Sequence, residues 1–181
     1  VPSRCLAGSI SQISFMPRPY FCGSWPLLRS YLAITSLAKE PRTPSDRNNR
    51  DQSWNHSHSW SLSDKSDLEF ETASPIHENN RTYAVLDVKN PGVALSNFGF
   101  AGIVIRQGEK YDFSVFTKQI SGKTSQVKVR LVDEKGEILA ESNVKNPGSK
   151  WGRQQTVLKE KKGSDNAVLQ FIPSGNGKLG V

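Results

Sequence analysis

The sequence predicts an all-β fold, a jelly-roll sandwich over roughly residues 60–181, behind a poorly structured N-terminal extension. Three observations carry this expectation. About eight short segments rich in β-branched and aromatic residues follow one another, with turn signals every 8–14 residues or so. Apolar residues alternate at period two: Val127, Val129 and Leu131 against Lys128 and Arg130, and Tyr111, Phe113 and Val115 against Asp112 and Ser114. No helix of three turns fits between the segments from Tyr83 to Phe116, which glycine and proline turns separate.

Taken in order, Leu68-Glu69-Phe70-Glu71-Thr72 alternates and reads as a first strand, and 74–81 reads as a loop. Tyr83 to Val88 is a strand that stops at the turn Asn90-Pro91-Gly92. Val93 to Ile105 is extended and broken by Gly99 and Gly102. Gln107-Gly108-Glu109-Lys110 turns the chain into Tyr111 to Phe116. Gln126 to Val132 and Ile138 to Ser142 form a hairpin around Asp133-Glu134-Lys135-Gly136, with glycine supplying the left-handed position. Asn146-Pro147-Gly148 repeats the earlier turn tripeptide. The string Val-Lys-Asn-Pro-Gly occurs at both places, but the flanks differ, so this is reused turn chemistry and not an internal repeat. Gln154 to Leu158 and Ala167 to Ile172 add two strands around a basic loop, and Lys178 to Val181 begins another.

The 181 residues carry a net charge of +7, unevenly spread. The first fifty residues hold seven Lys/Arg against two Asp/Glu, net +5, which leaves net +2 for the remainder. A nucleic-acid module concentrates its basic residues on the folded part and interleaves aromatics, so no nucleic-acid partner is expected. Val1 to Asn49 lacks periodicity, apart from Leu27, Leu28, Tyr31, Leu32, Ile34 and Leu37, which could form one short helix. Residues 1–53 are read as an extension, disordered or non-native, that adds little to the sandwich, and residues 54–181 as the folded domain. Cys5 and Cys22 both lie in the extension and read as unpaired thiols. The longest apolar stretch, Trp25 to Ala38, contains Pro26 and Arg29 and falls short of the roughly 20 residues of a membrane span. No membrane partner and no clean signal peptide are therefore expected.

Residues Glu78-Asn79-Asn80, Tyr83 to Val88, Gly99-Phe100-Ala101-Gly102-Ile103 and Gly108 to Phe116 resemble the non-catalytic β-sandwich domain near the N-terminus of family 51 glycoside hydrolases, the α-L-arabinofuranosidases. The resemblance continues through Val127 to Asp133 and Trp151 to Phe171, and covers roughly Trp54 to Val181. It rests on the order and spacing of these segments, not on one chemical signature. The family often has Trp where this chain has Ala101. The resemblance implies a galactose-binding-like, carbohydrate-binding-like accessory domain of an enzyme that releases terminal arabinofuranose from plant polysaccharides. It implies as partners an arabinose-containing polysaccharide or oligosaccharide and a catalytic barrel of the same polypeptide, absent here. It also implies a fragment truncated at its last strand, and a secreted or periplasmic parent enzyme. A purely structural sandwich packed on the barrel is the alternative.

A retaining glycosidase needs two carboxylates about 5–5.5 Å apart. In the resembled enzymes both are glutamates of the barrel, so neither carries over. Asp87, Asp112 and Asp133 fit outward or turn positions and read as surface charges. The three histidines, His56, His58 and His77, precede the core strands. No nucleophile elbow, phosphate loop or zinc spacing occurs, so no catalytic residue, metal or cofactor is expected. This chain alone should turn over no chromogenic arabinofuranoside. Asn55-His56-Ser57 and Asn80-Arg81-Thr82 are glycosylation sequons. Sugar binding needs only an aromatic face for stacking and planar polar groups for the hydroxyls. Trp60, Phe98, Phe100 and Trp151 are the aromatics near loops or strand ends, with Asn97, Gln119 and Arg153 as polar neighbours. The competing role for Phe100 and the tryptophans is the core.

Overall fold

A computed structural model of the chain describes residues 13–17, 60–63, 68–78, 81–90, 92–99, 102–145 and 148–181. Among them there is no helix. The strands are β1 Ile13–Pro17, β2 Trp60–Leu62, β3 Leu68–Glu71, β4 Tyr83–Val88, β5 Leu95–Asn97, β6 Ile103–Ile105, β7 Lys110–Gln119, β8 Lys123–Val132, β9 Ile138–Lys145, β10 Gly152–Lys159 and β11 Ser164–Gly180. Every pairing is antiparallel. The all-β expectation and the sandwich are both present in this curled sheet.

β11 joins the two layers. Its first part, Ser164–Asn176, pairs with β8 on one side and with β5 and β6 on the other; β9 extends beyond β8 and β2 beyond β5. Its last part, Gly177–Gly180, pairs with β4 and β7 in the second layer, which β3 and β10 extend. The sequence reading divides this stretch into one complete strand and the start of another. The structure makes it a single bent strand. The bend falls where the register shifts between Ser174 and Gly175, and Gly175 and Gly177 take φ of 123° and 111°, a region that costs an L side chain strain. A Cβ on Gly177 would collide with the Ser121 carbonyl oxygen. The turn at 120–122 is held against the bend by Ile120 N–H donating to Lys178 O at 2.9 Å and Lys178 N–H donating to Ser121 O at 3.0 Å.

The core lies between the layers, where inward residues of facing strands meet: Leu86 on β4, Phe113 and Val115 on β7, Val129 and Leu131 on β8, and Phe171 on β11. Each is at most 1% exposed. The alternation read from Gln126 to Val132 and from Tyr111 to Val115 therefore gives the correct inward faces. The Asp133–Gly136 turn also forms as expected: Gly136 has φ 81°, and the Asp133 carboxylate accepts from the N–H groups of Lys135 and Glu137 at 2.9 and 2.8 Å. At one seam between the layers, Ser142 Oγ of β9 lies 2.5 Å from Thr156 Oγ1 of β10.

Two strands lie outside the sequence reading. β2 is three residues long, too short for its alternation to register. β1 lies within the stretch read as an extension and pairs residue by residue with Tyr111 to Val115 of β7, whose opposite side is taken by β10.

Candidate functional site

Residues opposite one another in register point to the same side of a sheet. In the first layer, Leu95, Val129, Leu131, Leu169 and Phe171 point inward, so their sequence neighbours point out. One register line crosses all five strands of the outward side: Ser61 of β2, Ser96 of β5, Gln170 of β11, Arg130 of β8 and Glu141 of β9. Every member is polar. With strands spaced about 4.8 Å apart, the line runs roughly 19 Å. Arg130 Nε donates to Gln170 Oε1 at 2.6 Å, and Gln170 Nε2 donates to Ser96 Oγ at 3.3 Å. Glu141 turns toward Lys128, with Oε1 3.2 Å from its Nζ. Lys128, Ile172 and Asn143 form the next outward line. Gln170 and Arg130 are half-buried and Ser96 is buried at 6% exposed, while Ser61 and Glu141 are exposed. The result is a partly buried line of planar amide, guanidinium and hydroxyl groups already oriented by one another. Such groups can hydrogen-bond the hydroxyls of a ligand laid across the strands.

The sequence-predicted site residues do not converge on this face. Trp60 and Asn97 are brought together, as direct partners of the β2–β5 pair, but they point inward and are 8% and 1% exposed. The Asn97 carboxamide oxygen accepts from Gly99 N–H at 2.9 Å. Among the described residues, Trp60 Nε1 and Asn97 Nδ2 have no acceptor. Phe98 is 45% exposed, two residues past Ser96. Phe100, His56, His58, Cys5, Cys22 and Asn80 lie outside the described residues.

Trp151 and Arg153 sit together on the outer side of the second layer, through the pairing of Gly152 with Thr117 and of Arg153 with Phe116. Trp151 is half-buried and committed to packing. Its Nε1 donates to Ser74 O at 2.9 Å, its ring meets Tyr83 edge-on at 5.0 Å, and both rings lie over Gly180, where a Cβ would come within 3.2–3.4 Å of them. The Lys118 ammonium stands 5.8 Å from the Trp151 ring centre and 5.9 Å from that of Tyr83. The Tyr83 hydroxyl donates to Glu71 Oε2 and Ala73 O. Burial, then the hydrogen bond and charge of Glu71, push its pKa up to about 12. Trp151 thus pegs the 72–78 loop to the sheet. Arg153 is exposed and donates to Ser114 Oγ at 3.3 Å. The Gln119 side chain is spent on the 120–124 turn, donating to Ser121 O and Lys178 O and accepting from Thr124 N–H.

At one end of the sandwich, the Tyr111 hydroxyl accepts from Arg106 N–H at 2.9 Å and donates to Glu109 Oε2 at 3.0 Å. Burial pushes this phenol up to about 12. Glu160, 6% exposed, has neither carboxylate oxygen in a well-formed hydrogen bond among the described residues. Burial raises its pKa, and the N–H groups of Lys162 and Gly108 oppose the rise without cancelling it. No group of three or more His, Cys, Asp or Glu side chains among the described residues could hold a metal ion.

The residues of the polar line were missed as a site for a physical reason. Their outward parity was legible for Arg130, but which residues of non-adjacent strands stand opposite one another depends on long-range register. Ser61 and Ser96 carry no local signal at all.

No family model matches the chain. No curated protein sequence matches it either. Among solved structures, the chain is similar to an arabinose-bound family 51 α-L-arabinofuranosidase, MgGH51, with a TM-score of 0.59 and 18% identity over 69% of this chain and 22% of that one. It is also similar to the enzymatically active domain of tailspike protein 4 of bacteriophage CBA120, with a TM-score of 0.51 and 18% identity over 67% of this chain and 18% of that one. The C-terminal family 22 carbohydrate-binding module of Clostridium thermocellum Xyn10B aligns with a TM-score of 0.47 and 11% identity, over 67% of this chain and 81% of that one. The chain spans about a fifth of the first two proteins. At these identities the first two likenesses are ones of fold alone: a β-sandwich like this one occurs within both proteins.

Proposed function

We propose that residues 54–181 form an accessory, carbohydrate-binding-like module of a larger glycoside hydrolase resembling the α-L-arabinofuranosidases. The module holds an arabinose-containing polysaccharide while the catalytic residues lie in another part of the enzyme. The observation that carries this reading is the in-register polar line Ser61, Ser96, Gln170, Arg130 and Glu141 on the outward side of the first layer. The core of a packing interface is depleted of Lys and Glu, and this side of the layer carries Lys128 and Glu141. The likeness in fold to part of a family 51 arabinofuranosidase supports the same reading. Affinity electrophoresis in gels containing arabinan or arabinoxylan tests it. The chain should be retarded, and Gln170→Ala, which removes the amide that orients Arg130 and Ser96, should restore most of its mobility. Migration unaffected by either polysaccharide would refute the reading.

The second reading is a structural sandwich that shapes the enzyme without touching sugar. It is favoured by the burial of the aromatic set, since Tyr83, Tyr111, Phe113 and Phe171 are each at most 3% exposed.

A further inference from the structure

We propose that Arg130 is a carboxylate receptor and that the polar face takes an anionic, uronate-bearing polysaccharide segment. This rests on the carbohydrate-binding reading above and narrows its ligand class. Three observations lead to it. The Arg130 guanidinium is half-buried and held in place through Nε, which donates to Gln170 Oε1 at 2.6 Å. Its Nη groups, the edge that grips carboxylates in a two-pronged fashion, have no partner among the described residues. Its cross-strand neighbour Glu141 would be the natural occupant of that edge, but Glu141 is committed to Lys128 at 3.2 Å.

The surroundings agree in sign. The outward lines of this layer carry Lys128, Arg130 and Lys145 against the single carboxylate of Glu141. A neutral sugar chain would gain nothing from that excess. A ring carboxylate seated on the Nη edge would form two charge-assisted hydrogen bonds, while the exposed Ser61 at the end of the line can bond a neighbouring hydroxyl. Arg130 reaches this pose without reorganising, because Gln170 already fixes the plane of the guanidinium. A nucleic acid would also seek positive charge, but single-strand binding uses several aromatics in succession, and beside these register lines Phe98 alone among the described residues is an exposed aromatic.

The experiment compares the full chain and its Arg130→Gln and Arg130→Lys variants by titration calorimetry. The probes are polygalacturonate, the same polymer fully methyl-esterified, neutral arabinan and a single-stranded oligonucleotide. Thermal melts verify that the variants are folded, as expected for a surface position. The proposal expects polygalacturonate to bind about tenfold or more tightly than its methyl ester, the scale of a hydrogen-bonded charge contact. Arg130→Gln should abolish that preference, and Arg130→Lys should retain only part of it, because lysine keeps the charge without the fork. Equal binding of acid and ester, or an acid preference that survives Arg130→Gln, overturns the proposal and leaves the carbohydrate reading standing. Comparable binding of the oligonucleotide overturns it in favour of a general polyanion surface. The basic segment Val1 to Arg50 could produce such binding, and it would be insensitive to Arg130. Failure to bind any of the polysaccharides, arabinan included, removes both readings together.

Discussion

Glu160 follows β10 with its carboxylate buried and poorly hydrogen-bonded. Burial raises its pKa in the folded chain above the ordinary value of 4.5. Between the ordinary and the raised value, the folded state binds more protons than the unfolded one. Stability therefore falls as pH rises through that window, and Glu160 is a destabilising charge at neutral pH. Glu160→Gln should raise the thermal midpoint by a few degrees at pH 7, and the gain should vanish as the pH falls below the carboxylate range. A variant less stable than the parent at pH 7 would mean that the carboxylate, through the Gly108 and Lys162 N–H groups, holds its two loops together. The position was not legible in the sequence: Glu160 sits in a run of lysines that reads as a solvated loop, and its burial depends on distant segments, its N–H donating to Glu109 O at 3.3 Å and that of Lys161 to Leu139 O at 3.4 Å.

β11 is the element on which the fold turns, since among the described strands it alone pairs in both layers. Its crossing depends on a backbone that only glycine adopts readily, at Gly175 and Gly177. Gly177→Ala should cost about 1–3 kcal/mol from conformational strain, with further loss from the collision with the Ser121 carbonyl. Each kcal/mol lowers the midpoint by about 2–4 °C in a chain of this size. A melt unchanged by this substitution would show that the bend is made elsewhere. The sequence announced the two halves of the strand separately, because the apolar runs at Ala167 to Ile172 and at Leu179 are real. It concealed their continuity because Ser174 to Gly177 reads as a turn. The hairpin of β8 and β9 was legible in full, with strong alternation and turn chemistry in one local stretch. β1 was not legible, because Met16 breaks the alternation of Ile13-Ser14-Phe15 and the strand ends in Pro17, within a stretch that otherwise lacks period-two patterning.

At the scale of the molecule, the two outward sheet faces differ in kind. The second layer is closed over Tyr83 by Trp151 and the 72–78 loop, which removes Trp151 from the set of free sugar platforms. The first layer presents the polar line, with Phe98 exposed nearby. The fold class was thus readable from local alternation, whereas the site depends on which strands lie side by side. The test that separates these faces most directly is an amide chemical-shift titration of the labelled chain with an arabinose-containing oligosaccharide. The account predicts shifts concentrated at Ser61, Ser96, Arg130, Glu141 and Gln170. Shifts centred instead on Phe116, Trp151 and Arg153, or none at saturating sugar, would contradict it.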